Sequence, residues 1–210
     1  MCRPLRKPER LSADRLLRTF FTCYAFLNET NRMKMFWTIS FISSVLLSFS
    51  GFDFSDKATA DRWAVINDGV MGGRSESQVV HSDEALLFTG NLSLENNGGF
   101  ASVRAPWGDY DLSAFEEVVV ECSGSGGSFM CMLEKERRWY LPYYTASFSP
   151  SEELQRFVLP LKDFKENSMG RKNGKTLGDR GYSDIIRIGF IKNDKVEGPF
   201  ELKLRSIRLR

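Results

Sequence analysis

The amino-acid sequence predicts an all-β fold, an antiparallel β-sandwich of the jelly-roll type. From Phe52 onward, short runs rich in Val, Ile, Phe and Tyr alternate with clusters of Gly, Pro, Ser, Asn and Asp, as expected for strands joined by turns. No long segment has apolar residues at helical spacing. About eight or nine strands in roughly 155 residues fit one sandwich, and we expect that single domain to span residues 51–210.

The first two predicted strands form a hairpin between two glycine-rich loops. Ser75–His81 carries two adjacent valines, Ala85–Leu94 alternates apolar and polar residues, and Ser82–Glu84 has the composition of a turn. A hairpin returns the chain to the edge from which it started. The preceding loop, Asn67–Gly73, and the following loop, Glu95–Phe100, are therefore expected to meet at one end of the sheet.

Further strands are predicted after the hairpin from runs of β-branched and aromatic residues. They are Phe100–Arg104, Glu117–Cys122, Ser128–Glu134, Tyr140–Phe148, Gln155–Pro160, Ile185–Ile191 and Phe200–Leu209. Between them, Leu161–Phe164 is expected to form one short turn, and Arg171–Gly181 is expected to be a polar loop.

The first 50 residues are expected to be a leader outside the fold, with two interpretations open. A short basic start at Met33, an apolar run and small residues near Ser50 form the pattern of a secretory signal peptide or an uncleaved anchor over about residues 33–50. Residues 1–32 then result from a mis-assigned start, and the protein is exported or membrane-anchored, periplasmic or otherwise extracytoplasmic. The alternative makes residues 1–32 a mitochondrial presequence, although Glu9 and Asp14 are unusual in transit peptides.

Charge argues against a nucleic-acid partner. The net charge of +2 is unevenly distributed, because residues 1–50 carry eight basic and three acidic side chains and the rest of the chain carries 21 basic and 24 acidic ones. The folded part is mildly acidic and shows no basic surface of the kind that binds phosphate backbones. Contact with a membrane is expected only through the leader.

Catalytic chemistry finds little support in the sequence. His81 is the only histidine, and no serine or cysteine partner for it is identifiable from spacing. Adjacent carboxylates such as Glu116-Glu117 and Glu152-Glu153 point to opposite faces of a strand. His and Cys ligand sets for zinc are missing, and acidic ligands are not dense. We therefore expect a non-catalytic binding module with no metal and no cofactor.

Motifs along most of the chain resemble one family. Trp63, Asn67-Asp68-Gly69-Val70-Met71-Gly72-Gly73 and Gly98-Gly99-Phe100 occur in this order, followed by Leu159-Pro160-Leu161 and Ile188-Gly189-Phe190. They resemble the signature of the complex I intermediate-associated protein 30 family, the NADH:ubiquinone oxidoreductase intermediate-associated protein 30 domain. The resemblance covers about residues 52–210.

The resemblance implies both a fold and a role. The fold is a galactose-binding-domain-like β-sandwich related to family 11 carbohydrate-binding modules. The role is that of a chaperone-like assembly factor for a respiratory or other membrane-associated complex, with protein partners that include assembly intermediates of respiratory complex I.

The two glycine-rich loops are predicted to form a protein-contact surface. Met71 is interpreted as a polarizable apolar tip presented to a partner. Asp68-Gly69 and Asn97-Gly98 are predicted tight turns in which glycine reaches positive φ. The alternative is a scaffold in which Asn and Asp bond to local backbone. The predicted partner-binding residues are Trp63, Asn67, Asp68, Gly69, Met71, Gly72, Gly73, Asn96, Gly98, Gly99 and Phe100.

An aromatic segment offers a second candidate site and a second function, that of a carbohydrate-binding module in an exported protein. The predicted strand Tyr140–Phe148 contains Tyr140, Tyr143 and Tyr144, and Trp139 directly precedes it. Alternate side chains of a strand face opposite ways. One set is expected to fill the core, and the other to form a platform for stacking on a sugar ring. The alternative is that all of these rings fill the sandwich and its rim.

Cys122 and Cys131 are predicted to face each other across a hairpin. They flank Ser123–Ser128, a Gly- and Ser-rich segment, and a symmetric hairpin would bring their Cα atoms within disulfide reach. We expect a disulfide if the protein is exported. Two reduced, buried thiols are the alternative.

Overall fold

Two antiparallel sheets of β-strands make up the part of the chain that the computed structural model describes, residues 49–138, 140–168 and 171–210. Thirteen strands are assigned in these residues. The strands are β1 Gly51–Asp53, β2 Ala64–Asn67, β3 Glu76–Ser82, β4 Ala85–Leu92, β5 Ala101–Arg104, β6 Glu117–Ser125, β7 Phe129–Glu134, β8 Tyr143–Phe148, β9 Gln155–Pro160, β10 Lys165–Ser168, β11 Arg171–Thr176, β12 Arg187–Lys192 and β13 Gly198–Leu209.

Helical structure in the described residues is short. One α-helix, α1, spans Lys57–Ala60, and Asp56 caps it by accepting hydrogen bonds from the backbone of Ala58 and Thr59. Short 3-10 helices occur at Asp68–Met71, Glu95–Asn97, Leu161–Asp163 and Asp179–Asp184. None of the helices in the described residues is long and apolar enough to cross a membrane.

The strand order confirms the predicted antiparallel sandwich. One sheet runs β3-β4-β13-β6-β9, with β1 added to β13, and the other runs β11-β10-β8-β7-β12-β5-β2. Side chains from the facing surfaces of the two sheets fill a single core, with Phe88, Phe129 and Phe190 fully buried in it. Along β7, for example, the alternate residues Phe129, Cys131 and Leu133 lie in that core.

The predicted hairpin is confirmed as β3 and β4. Its turn consists of Asp83 and Glu84, with φ of 50° and 55°, a left-handed pair that matches the twist of two-residue hairpins. The register opposes Ser82 to Ala85 and continues along both strands. The strands before and after the hairpin, β2 and β5, also pair with each other, and Asn67 at the end of β2 opposes Ala101 at the start of β5.

Trp63 is a core residue, so its predicted place on the contact surface is wrong. It is 4 % exposed and packs edge-on against Phe52 and Phe54, with ring centroids 5.1 and 5.3 Å away. The ring also stacks on Phe190 at 6.2 Å. A lone tryptophan before a short strand has no periodic neighbours that would tell which face it takes.

The predicted hairpin around Cys122 and Cys131 is wrong, because β6 and β7 belong to different sheets. Cys122 lies between β13 and β9 in one sheet, and Cys131 lies between β12 and β8 in the other. Gly126 and Gly127, with φ of 86° and 109°, carry the chain from sheet to sheet. Both thiols are free and buried, which matches the alternative of two reduced thiols.

The predicted loop over Arg171–Gly181 is in part a strand. Its first six residues form β11, which pairs with β10 at the edge of the seven-stranded sheet. Polar edge strands lack the apolar alternation that sequence reasoning detects, since polar edges protect a sheet from further pairing.

The predicted leader cannot be compared with the fold. Residues 1–48 lie outside the described residues, so the signal peptide, anchor or presequence stays a prediction. Trp139 also lies outside the described residues.

Candidate functional site

Asp68 joins the two glycine-rich loops. Its side chain is 1 % exposed. The carboxylate accepts hydrogen bonds from the backbone N–H groups of Gly99 at 2.6 Å and Phe100 at 3.2 Å. It also accepts from the N–H and the hydroxyl of Ser75 at 2.9 and 2.6 Å. The predicted meeting of the two loops is thus confirmed, and one buried side chain holds them together.

The ionised form of Asp68 is the one that suits this position. Burial disfavours its charge, but the hydrogen bonds from Ser75, Gly99 and Phe100 outweigh that penalty and hold the pKa of Asp68 below its ordinary value. A buried carboxylate that already accepts several hydrogen bonds has little capacity for a partner. The burial and hydrogen bonds of Asp68 thus match the alternative of a scaffold residue rather than a contact residue.

Glycines surround the Asp68 carboxyl because larger residues would collide with it. A Cβ on Gly73 would lie 2.4 Å from Cγ of Asp68, and one on Gly98 would lie 2.7 Å from its Oδ2. Gly72 ends the 3-10 turn with φ of 89°, and Gly99 has φ of 109°. The glycines at these four positions are thus explained by the packing and backbone of the loop pair.

The two predicted tight turns differ from the structure. Asp68-Gly69 begins a 3-10 turn instead, and a Cβ on Gly69 would meet nothing within 4 Å. In the second loop the left-handed residue is Asn96, with φ of 55°, and asparagine tolerates that region better than most residues. Glycine at positions 69 and 98 does not supply positive φ.

An apolar tip projects from the first loop. Met71 is 63 % exposed and Val70 is 76 % exposed, the highest values among the large apolar side chains of the described residues. Sequence reasoning found Met71 but missed Val70, although both belong to the same turn. Beneath them, the Ser77 hydroxyl donates to the side-chain oxygen of Asn67.

The predicted contact residues divide by burial. Gly69, Met71, Gly72 and Asn96 are exposed, and Asn67, Gly73 and Phe100 are half-buried. Trp63, Asp68, Gly98 and Gly99 are buried. Most of the 3-10 turn and Asn96 are therefore exposed to solvent, while the buried members shape the backbone behind them.

Tyr143 and Tyr144 face opposite ways, as predicted for neighbours on a strand. The strand starts only at Tyr143, so Tyr140 belongs to the preceding turn, where it is 46 % exposed with the Arg138 guanidinium 5.9 Å from its ring centroid. Tyr144 pairs with Leu133 and packs against the core. Tyr143 pairs with Glu134 on the outer face of the same sheet, where burial raises its pKa.

A charged cluster on that outer face was not predicted. Glu134 on β7 accepts from Arg104 on β5 at 2.8 Å and from Arg187 on β12 at 3.1 Å. The Arg187 guanidinium lies 3.5 Å from the ring centroid of Trp107, a cation–π geometry. Because the strand order brings these residues together, no spacing in the sequence indicates the cluster.

The described residues contain no metal-ligand cluster but do form a cleft. No group of three or more His, Cys, Asp and Glu side chains within them is arranged to hold a metal ion. A cleft of about 290 Å³ lies between β8 and β9, away from both loops. Its lining consists of Thr145, Ala146, Ser147, Val158, Leu159, Pro160, Asp163 and Lys165.

Comparison with solved structures agrees with the fold. Two structures of the family 11 carbohydrate-binding module from Clostridium thermocellum are similar to this chain, each at 14% identity. The one in complex with a beta-1,3-1,4-mixed-linked tetrasaccharide has a TM-score of 0.54 over 76% of this chain and 94% of its own. The other, from cellulase Lic26A-Cel5E, has a TM-score of 0.53 over 70% and 86%.

Comparison of sequences gives the family. The chain is 27% identical over 176 residues to the mitochondrial complex I intermediate-associated protein 30 of Mus musculus, covering 73% of this chain and 53% of the relative. The chain thus spans about half the length of that protein. The family model of complex I intermediate-associated protein 30 matches residues 52–204. These residues include both glycine-rich loops, and the chain belongs to the complex I intermediate-associated protein 30 family.

Proposed function

We propose that this protein is a non-catalytic, chaperone-like module that binds protein partners during assembly of a respiratory or other membrane-associated complex. The observation that carries the proposal is the exposed pair Val70 and Met71 on a turn that buried Asp68 holds in place. Membership of the family supports the same role.

The geometry of the first loop suits a binding tip. Burying one Val or Met side chain against a partner contributes about 1.5–3 kcal/mol, and both side chains are largely free to contribute it. The hydrogen bonds to Asp68 order the loop before binding, which lowers the entropy cost of association. Met71 is also flexible and polarizable, and such side chains adapt to uneven partner surfaces.

The proposed partners are assembly intermediates of respiratory complex I. The name of the Mus musculus relative supports this choice. A photoreactive residue at position 70, in full-length protein, tests it. We expect cross-links to complex I subunits in solubilised membranes, and none from the same residue at position 158 on β9. Equal cross-linking from both positions, or none from position 70, would contradict the proposal.

The compartment is part of the same proposal. A signal peptide or anchor would place the protein outside the cytoplasm, and a presequence would place it in mitochondria, where the Mus musculus relative is located by its name. Mass spectrometry of the native N-terminus in fractionated cells separates these cases. An N-terminus near Gly51 in an exported fraction supports export, and one beyond an Arg-rich presequence in an organelle fraction supports mitochondria.

A carbohydrate-binding module is the second candidate function. The observation that favours it is the exposed ring of Tyr140, beside Arg138, with Tyr143 on the outer face of the next strand. A glycan array tests it, with Tyr140→Ala and Tyr143→Ala as variants. Array signals that both variants abolish support the candidate, and no signal for the unmodified protein removes it.

A further inference from the structure

We propose that the partner surface includes a third loop, Asn193–Glu197 between β12 and β13. Val70, Met71, Leu94 and Val196 then form one apolar surface, called here the end patch. The inference rests on the proposed function, because it extends the same contact surface. Val196 lies more than 90 positions from either glycine-rich loop in the sequence.

Direct hydrogen bonds attach the third loop to the second. The Lys195 ammonium donates to the carbonyl oxygens of Gly98 and Gly99 at 3.4 and 3.3 Å. In the other direction, the Glu197 carboxylate accepts from the backbone N–H of Leu94 at 3.0 Å. These bonds place Val196 beside the segment that contains Leu94.

The second loop is in turn attached to the first. Asp68 in the first loop accepts from Gly99 in the second at 2.6 Å. At the surface, the Arg74 guanidinium lies 2.8 Å from the Glu95 carboxylate. The three loops therefore form one connected end of the sandwich.

Exposed apolar side chains are concentrated at this end. Eight large apolar side chains are exposed in the described residues, and four of them form the end patch. Val196 is 52 % exposed and Leu94 is 39 % exposed. Exposed apolar side chains that lie close together mark interaction sites more often than isolated ones do.

The backbone of the third loop is held in a strained conformation. Lys195 has φ of 63°, a region that costs a residue with a side chain free energy. Asp194 stabilises the conformation by accepting from the N–H of Val196 at 3.2 Å and of Ser128 at 2.9 Å, and it is paired with buried Lys192. Val196 is thus presented by a fixed loop.

The charges around the end patch indicate the chemistry of its partner. Four charged side chains lie where the three loops meet, and Arg74 and Lys195 are balanced there by Glu95 and Glu197, so this rim of four has no net charge. Such a rim favours neither phosphate backbones nor anionic lipid. It suits a protein surface with an apolar centre and a neutral polar rim.

The opposite end of the sandwich offers a control. β13 starts at Gly198, beside the end patch, and reaches Arg208 near the far end. There Arg208 pairs with Val119 of β6, and Val119 in turn pairs with Val158 of β9. Ten residues of strand separate the two ends by about 33 Å. Val158 is 43 % exposed, so it matches Val196 in residue type and exposure but not in place.

The test compares four full-length proteins: unmodified, Met71→Asp, Val196→Asp and Val158→Asp. The probe is a solubilised membrane fraction that contains complex I assembly intermediates, and the readout is the amount of those intermediates captured. We expect Val196→Asp to reduce capture about tenfold, as Met71→Asp does, with Val158→Asp unchanged. A photoreactive residue at position 196 is expected to cross-link the same complex I subunits as one at position 70. This result does not depend on whether the aspartate variants fold.

Other outcomes overturn the inference in distinguishable ways. If Met71→Asp loses capture but Val196→Asp keeps it and position 196 gives no cross-link, the third loop is outside the surface and the proposed function stands. If Met71→Asp also keeps capture, the proposed function fails at this site as well. Equal loss by Val158→Asp shows that capture does not depend on the end patch.

Discussion

The backbone N–H of Gly99 donates a 2.6 Å hydrogen bond to the buried carboxylate of Asp68, across 31 positions of sequence. This bond connects a loop at the end of β2 to the loop that precedes β5. Because Asp68 also accepts from Ser75 at the start of the hairpin, one side chain fixes the place where three segments meet. The exposed turn Asp68–Met71 depends on that fixed point.

Asp68→Asn is expected to destabilise the fold by about 1–3 kcal/mol. The amide keeps the size of the side chain but replaces an acceptor oxygen with a donor that faces backbone N–H groups, and buried unsatisfied groups cost about that much. Urea unfolding of both proteins measures the difference. Asp61→Asn, at an exposed ion pair with Lys57, is the control, expected within about 0.5 kcal/mol of the unmodified protein.

Asp68 is also expected to contribute to acid unfolding. The pKa of Asp68 in the folded protein lies below its ordinary value. The ionised carboxylate therefore stabilises the fold at pH values above about 3.9, the pKa of an aspartate in an unfolded chain. That stability is lost as the pH falls through the folded pKa, because protonation then favours the unfolded chain. The free energy of unfolding of Asp68→Asn should therefore decrease less steeply below about pH 4. Parallel curves for the two proteins would contradict the assigned shift.

Gly73→Ala and Gly69→Ala form a matched pair in one loop. The new methyl group at position 73 would lie 2.4 Å from Cγ of Asp68, so we expect a loss of about 1–3 kcal/mol from overpacking. At position 69 nothing lies within 4 Å, and alanine there is expected to be neutral or slightly stabilising. Thermal unfolding measures both. Equal effects would show that the Asp68 carboxyl is not the obstacle.

Glu134→Gln is expected to destabilise the outer face of the seven-stranded sheet. The change leaves the mostly buried guanidinium groups of Arg104 and Arg187 without a counter-charge, and breaking a buried ion pair costs about 3–5 kcal/mol. Glu136→Gln removes a carboxylate from an exposed pair with Arg138 and serves as control. Chemical denaturation of both variants gives the two free energies, and similar values would show that the cluster is dispensable.

The sequence predicted the parts of the fold that local patterns determine. The β3–β4 hairpin follows from alternation and a polar turn, and its geometry brings the two loops together. The exposure of Met71 also follows from local composition, since an apolar residue between glycines has no strand to pack against.

Long-range relationships were beyond the sequence. The segment between Cys122 and Cys131 suits a hairpin or a crossover equally well, and only the pairing of β6 with β13 and β9 decides between them. The Arg104–Glu134–Arg187 cluster depends on the order of β5, β12 and β7. The attachment of Val196 to the glycine-rich loops likewise depends on where β13 begins.

The most direct test of the central claim is the capture of complex I assembly intermediates by the full-length protein with Met71→Asp. An exposed residue can be changed at little cost to the fold, so we predict a melting temperature within about 3 °C of the unmodified protein. With the fold intact, capture should fall about tenfold or more. Undiminished capture, or a loss seen only because the variant unfolds, would contradict the claim that the turn held by Asp68 is a binding surface.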